Sequence, residues 1–493
     1  MAILAYSGRY DFCAQNVKQY SEQNPAMNNK KREEIYFIGI GGIGVSGLAQ
    51  WYLAEGWRVS GSDTASSAIT DWLKKKGAQV HIGAHQAGWV PKNAKLIIYS
   101  AAIKPDNPER VAAKKLGIPE KLYADALADM AKPYRLIAIS GAHGKSTTTA
   151  MVSLMMMRAG LDPTVVIGTK MREFGGTNFR KGKSEWVVIE ADEFHHSFLN
   201  YFPYAAIATN IDREHLDYYK TFSNIKKAFL KFFSQIDSLG CLILNQDDRE
   251  LRSLKIRVKA TVRWYGINPV STDASRLADG DITLSSSQRR SNGVKTARAR
   301  EIKKLLKVPG RHNLSNAVAC DTLGDVLGIP EKIRSQALTA FRGTWRRFEY
   351  KGIFKGAKIY DDYAHHPTEI RATLAGAREL YPKKRLVVLF QPHQTQRLTL
   401  LFTDFTRAFC DADRVIILET YRVKGREASL ANPEKSARAL AKRIVPYIKS
   451  SYAPTRTAAQ KILRKELGKN DIAIVMGAGD VWKVTRRLLT ARR

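Results

Sequence analysis

The chain has 493 residues with 80 Lys and Arg against 46 Asp and Glu, a formal net charge of +34, and a hydrophobic fraction of 44% that supports about three domains of ordinary size, each with its own core. Cys13, Cys241, Cys320 and Cys410 are widely separated and form no C-x-x-C pair, which points away from a zinc site or a disulfide framework. No run approaches the roughly 18 consecutive apolar residues of a membrane span, and the first residues lack a signal-peptide layout, so a cytoplasmic protein without membrane insertion is expected.

Residues 1–33 are polar, without clear periodicity, and read as an extension; Met27, which begins MNNKKREE, is an alternative start. A first α/β unit is expected over 34–133. It opens with the apolar strand Ile35–Ile38, then Gly39-Ile40-Gly41-Gly42-Ile43-Gly44, a helix from Val45 to Glu55 and a strand from Trp57 that ends at Asp63. This G-x-G-x-x-G after a strand places a nucleotide diphosphate on a helix N-terminus, with an acid 19 residues later at Asp63 for ribose hydroxyls; NAD, FAD or a UDP-sugar would satisfy the same physics. A further strand is expected at Leu96–Tyr99 and a helix ending near Leu116.

A second unit, 134–341, is organised around Arg135–Gly160. The apolar run Leu136–Ile139 leads into Gly141-Ala142-His143-Gly144-Lys145-Ser146, and a helix runs from Ser146 to Arg158. Ile139 stands where the full G-x-x-x-x-G-K-[ST] pattern has glycine. The parts a triphosphate needs are nevertheless in order: backbone N–H groups, a helix N-terminus, a lysine and a hydroxyl for Mg²⁺. Glu190-Ala191-Asp192-Glu193 closes the strand Trp186–Ile189, and Thr209–Asp217, with three acids and His215, closes Ala205–Ala208; both are placed to hold Mg²⁺ beside the phosphate loop. Asn313 and Asn316 share one helical turn and can present donors and acceptors to a purine. The densest basic run, Arg289 to Arg311, holds no aromatic residue for base stacking, so no nucleic-acid partner is expected.

A third unit, 342–493, begins with Arg346-Arg347-Phe348-Glu349 and a strand to Tyr360. Asp361-Asp362-Tyr363-Ala364-His365-His366-Pro367-Thr368-Glu369 then leads into a helix, and strands alternate with helices to Ile472–Met476.

Together GIGGIGVSG, SGSD, SGAHGKSTTT, EADE, TNIDREHLD, GRHNLSNA, RRFE, DDYAHHPTE and FQPH resemble the Mur ligases of peptidoglycan synthesis over residues 34–493. The resemblance implies an α/β chain of three domains: a Rossmann-like UDP-sugar-binding domain, a central P-loop ATPase-type domain with a mostly parallel sheet, and a Rossmann-like amino-acid-binding domain. It implies ATP-dependent joining of L-alanine, or of a preformed tripeptide, to the carboxylate of UDP-N-acetylmuramate; a nucleic-acid-dependent NTPase is the alternative from another class. By similarity Lys145, Glu190 and His215 are catalytic, and Ser146, Glu190 and His215 hold two Mg²⁺ ions. Gly141, His143, Gly144, Lys145, Ser146, Thr147, Asn313, Asn316, Arg347 and Asp362 bind ATP. Gly41, Gly42, Ser46, Asp63, His85, Ser100, Tyr363, His365, His393 and Arg397 bind the other substrates. Four places depart from the family pattern: Ala142 replaces a threonine in the phosphate loop, Glu214 replaces an aspartate before His215, Phe194-His195-His196 follows Glu193 in place of serine and aspartate, and Gln394 stands where an arginine would pair with the acceptor carboxylate.

Overall fold

A computed structural model describes residues 33–268, 297–422, 433–444 and 448–490. The polar extension up to residue 32, with Met27, and the start of the basic run at 289–296 lie outside the described residues.

Three sheets follow one another along the chain. The first is parallel throughout, with β1 Glu34–Ile38, β2 Arg58–Asp63, β3 Gln79–Ile82, β4 Ala94–Tyr99 and β5 Glu120–Leu122 in the order β3-β2-β1-β4-β5. Strand β1 is buried along its whole length, as a parallel strand covered on both faces must be. The order reverses between β1 and β4, and such a reversal leaves a crevice at the carboxyl ends of the strands.

The second sheet contains β6 Arg135–Ser140, β7 Thr164–Met171, β8 Thr177–Arg180, β9 Trp186–Glu190, β10 Ala205–Ala208, β11 Cys241–Asn245 and β12 Thr261–Tyr265, ordered β12-β11-β10-β6-β9-β7-β8. Only β8 runs antiparallel, returning from β7. The third sheet is ordered β13-β14-β18-β15-β16-β17, from β13 Glu349–Phe354, β14 Ala357–Asp362, β15 Arg385–Phe390, β16 Arg414–Leu418, β17 Lys449–Ala453 and β18 Asp471–Met476. The single strand expected before Asp361 is a hairpin: Gly356, at φ +81°, turns β13 back onto β14.

The units are stitched by side chains. Trp51 packs against Tyr134 and Phe179, and Gln50 Nε2 donates to Asn178 Oδ1 at 2.8 Å, which ties the first unit to the second. Between second and third, Trp345 lies along β7: its N–H donates to Lys170 O at 3.2 Å, and its carbonyl accepts from Thr169 Oγ1 at 3.1 Å. The next residue, Arg346, is buried in the third unit, with its guanidinium 3.2 Å from Asp361 Oδ2 and bonded to Gly477 O at 2.5 Å.

Candidate active site

Strand β6 ends at Ser140, four loop residues follow, and the helix Lys145–Arg158 begins. Gly141 (φ +126°) and Gly144 (φ +86°) adopt backbone that side chains avoid, and neither has room for one. A Cβ on Gly141 would lie 2.2 Å from Thr209 Oγ1, and one on Gly144 would lie 2.6 Å from Asn316 Oδ1. The N–H groups of Ala142 and His143 are taken by Asn210, so the donors left for an anion are those at the positive N-terminal end of the helix that Gly144 opens.

Lys145 folds back over this turn, donating to Gly141 O at 2.7 Å and Glu193 Oε2 at 2.9 Å, with Asp192 Oδ1 at 3.9 Å. Burial opposes its charge, but Glu193, Asp192 and Glu190 outweigh burial and hold the ammonium above its ordinary pKa. Ser146 Oγ donates to Glu190 Oε2 at 3.1 Å, and the other oxygen of Glu190 accepts from Gly168 N–H at 2.6 Å. Burial pushes the Glu190 and Glu193 carboxyls up, while Asp192 is pulled down against its burial by Lys145 and His215. The side chains of Asp192, Glu193 and His215 bring one ligand atom each within 4.8 Å of one another. His215 holds a left-handed backbone (φ +55°), as do His195 (φ +53°) and His196 (φ +58°), and the Phe194 ring lies 4.6 Å from that of His215. Three non-glycine residues in left-handed backbone, in the segments after β9 and β10, are the kind of feature that functional sites retain.

A second cluster lies on the other side of the loop and joins two domains. His143 Nε2 is 2.9 Å from Asp212 Oδ2 and its Nδ1 is 3.6 Å from Glu369 Oε1; Thr368 Oγ1 also donates to Asp212 Oδ2 at 2.9 Å. Burial lowers the affinity of His143 for a proton, yet the two carboxylates prevail and raise its pKa to about 10. Beside it, burial pushes His365 down to about 4 and lowers His366, so a charged His143 stands beside two neutral imidazoles near pH 7. Arg397 Nη2 donates to Glu214 Oε2 at 3.2 Å, a further bridge between second and third domains. The loop Thr209–Asp217 thus divides its groups: His215 faces Asp192 and Glu193, whereas Asp212 and Glu214 face the third domain.

From the third domain, Arg347 reaches Glu369 Oε1 at 3.3 Å, and Asp362 accepts from the N–H groups of Phe348 and Ala364, each at 2.7 Å. Tyr363 stands edge-on to His365, His365 edge-on to His393, and His393 stacks on Tyr421. Gln394, at φ +69°, lines a small cleft with Arg397, Glu214 and His215. Asn316 packs on Gly144, and Asn313 Nδ2 donates to Pro309 O at 2.6 Å. Thr147 is buried in the first turn of the phosphate-loop helix.

In the first domain Asp63 Oδ2 accepts from Gly41 N–H at 2.9 Å, so this carboxylate braces the glycine turn itself. Gly42 N–H closes the turn onto Gly39 O, and Ser100 flanks it, with its Cβ 3.2 Å from where a Gly39 Cβ would lie. His85 contacts Ser62 and Glu109. Ser46 is fully buried one turn into the helix Ile43–Ala54, taking a hydrogen bond from Asn178 Nδ2 at 3.2 Å, which places it at the interface with the second domain. The phosphate loop, both acidic strand ends and the Arg347 to Arg397 residues converge on one cleft, while the glycine turn with Asp63, His85 and Ser100 forms its own group. Sequence reasoning missed Asn210, whose carboxamide clamps both the N–H and the C=O of His143, and Glu369, which joins His143 to Arg347; the quoted motifs contained both without a pattern to single them out.

Models of the Mur ligase family match this chain in three segments: the catalytic domain at residues 34–135, the middle domain at 139–323 and the glutamate ligase domain at 346–479. The UDP-N-acetylmuramate–L-alanine ligase of Acetivibrio thermocellus is 40% identical, covering 95% of this chain and 98% of its own. That of Aquifex aeolicus is 37% identical over 93% and 97%. Among solved structures, the UDP-N-acetylmuramate-alanine ligase of Thermotoga maritima superposes with a TM-score of 0.73 at 27% identity, covering 92% of this chain and 98% of that one. A murein peptide ligase of Psychrobacter arcticus shares the fold with a TM-score of 0.66 at 22% identity, covering 93% and 98%. With three family segments in order and relatives matched almost end to end, the chain belongs to the Mur ligase family.

Proposed function

We propose that this protein is an ATP-dependent ligase that joins L-alanine to the carboxylate of UDP-N-acetylmuramate in cytoplasmic peptidoglycan synthesis. The observation that carries the reading is the single cleft in which the phosphate loop, the acidic strand ends and the third-domain residues meet. A carboxylate is a poor electrophile and must be activated before an amine attacks it. Transfer of the γ-phosphoryl group from ATP to the muramate carboxylate gives an acyl phosphate, from which the alanine amine then displaces phosphate. The Gly141–Gly144 turn and the helix behind it would cradle the triphosphate, and Lys145, kept charged by its carboxylates, would swing from Glu193 to the transferring phosphoryl group. Asn313, Asn316, Arg347 and Asp362 would hold the nucleotide. Tyr363, His365, His393 and Arg397 would line the acceptor side.

The donor set fits Mg²⁺: hard carboxylate and hydroxyl oxygens from Glu190 and Ser146, with His215 beside Asp192 and Glu193. Ser146, Glu190 and His215 would hold one or two ions there. Bound Mg²⁺ would offset the repulsion between carboxylate and triphosphate.

The test is phosphate release from ATP by the purified protein with UDP-N-acetylmuramate and Mg²⁺, scanning single amino acids and a tripeptide. L-alanine-dependent release is expected. Release only with the tripeptide moves the protein to the recycling reaction, and no release with any acceptor refutes the ligase assignment.

A further inference from the structure

The first domain contains a buried carboxylate to which the ligase reading gives no role. Glu109, the second residue of the helix Pro108–Lys115, is 0% exposed, and four donors converge on it. Ser62 Oγ (2.6 Å) and the Tyr36 hydroxyl (3.2 Å) donate to Oε2; His85 Nδ1 (2.9 Å) and Gln86 N–H (3.3 Å) approach Oε1. Tyr36 lies on β1 and Ser62 on β2, His85 follows β3, and Glu109 follows β4. The cluster therefore spans the place where the strand order reverses, at the floor of the crevice where open α/β sheets bind ligands. Ser62 immediately precedes Asp63, which braces the glycine turn.

An acid in the first turn of a helix is favourable, but burying one completely is expensive unless each oxygen is satisfied. Here each is. A carboxylate that takes the Ser62, Tyr36 and Gln86 protons completes its set by accepting from His85 as well, which puts the ring proton on Nδ1. Nε2, on the far side of a ring that remains 13% exposed, has no hydrogen-bond partner among the described residues.

We propose that Glu109 is a positioning residue for sugar-nucleotide binding: it fixes the tautomer and the plane of His85 so that Nε2 addresses the ligand held by the Gly39–Gly44 turn. The inference rests on reading the first domain as the UDP-N-acetylmuramate site. Tyr36 and Ser62 hold the opposite oxygen, so the carboxylate cannot rotate away from the imidazole.

Calorimetric titration of the full chain with UDP-N-acetylmuramate tests both levels. Glu109→Gln, whose amide can donate to Nδ1 and reverse the tautomer, and His85→Ala should each weaken binding about tenfold. The double variant should bind no more weakly than either single one, because Glu109 acts through His85. Affinity for an ATP analogue, bound in another domain, should stay unchanged in all three. Losses that add, or a Glu109→Gln protein that binds normally, overturn the positioning role; failure of the wild-type protein to bind overturns the sugar-nucleotide reading itself. If Glu109→Gln does not fold, the wild-type protein still decides: in ¹⁵N-histidine spectra, the signal lost in His85→Ala must show a proton on Nδ1, and a bare Nδ1 refutes the proposal.

Discussion

His143 should be the last histidine in this protein to lose its proton, and its charge should help hold the second and third domains together. Its pKa rises from 6.5 to about 10 because Asp212 and Glu369 outweigh burial. A group raised in this way contributes fully below the unfolded value of 6.5, and its contribution is lost as pH climbs through about 10. A shift of that size caps the effect at about 5 kcal/mol, and a coupled network realises only part of the cap; we expect about 2 kcal/mol. His143→Gln should then lower the melting temperature at pH 7 by about 5 °C for a domain of this size. The gap between wild type and variant should close by pH 11, where the shared titration of lysines and tyrosines cancels from the difference. Histidine Cε1 resonances give the direct reading, since one of the ten should titrate near pH 10 and vanish in His143→Gln. If all ten titrate below pH 8, or the gap in melting temperature is independent of pH, the charged clasp does not exist.

Two further substitutions probe the cleft. Gly144→Ala places a methyl group 2.6 Å from Asn316 Oδ1 at φ +86°. Strain of about 1–2 kcal/mol for a left-handed residue, with Asn316 displaced, should weaken ATP binding tenfold or more in a nucleotide titration; unchanged affinity would remove the turn from the nucleotide site. Gln394→Arg adds a guanidinium beside Arg397. If the acceptor carboxylate lies there, a charge-assisted contact should lower KM for L-alanine about tenfold at similar kcat, whereas a KM that does not move would place the acceptor elsewhere.

The phosphate loop was legible because its parts are contiguous: a short apolar run that the following glycines mark as a buried strand, then Lys145 and Ser146 opening a helix. Contacts between distant loops were not. His143 with Asp212 and Glu369 joins three polar segments whose hydrophobic pattern carries no period, so nothing local marks the pairing. The short antiparallel edge strand β8, TNFR, and strand β17, KSSYA, escaped because they carry little apolar signal. Asp63 sits at the spacing expected for a ribose ligand, yet its carboxylate turns inward to Gly41 N–H, a choice of rotamer that spacing cannot express. Glu109 is hidden more completely: after proline at a helix start it reads as an ordinary first-turn acid, and only the fold shows that β1, β2 and the loop after β3 close over it.

The passage from Trp345, bonded along β7, to Arg346, buried against Asp361, sets a pivot only one residue long. So short a crossing leaves the two bodies no slack along the chain. Across the cleft they meet through side chains that can let go, Thr368 on Asp212, Arg397 on Glu214 and Glu369 on His143, so the covalent path keeps the halves in register while the far side stays free to be remade.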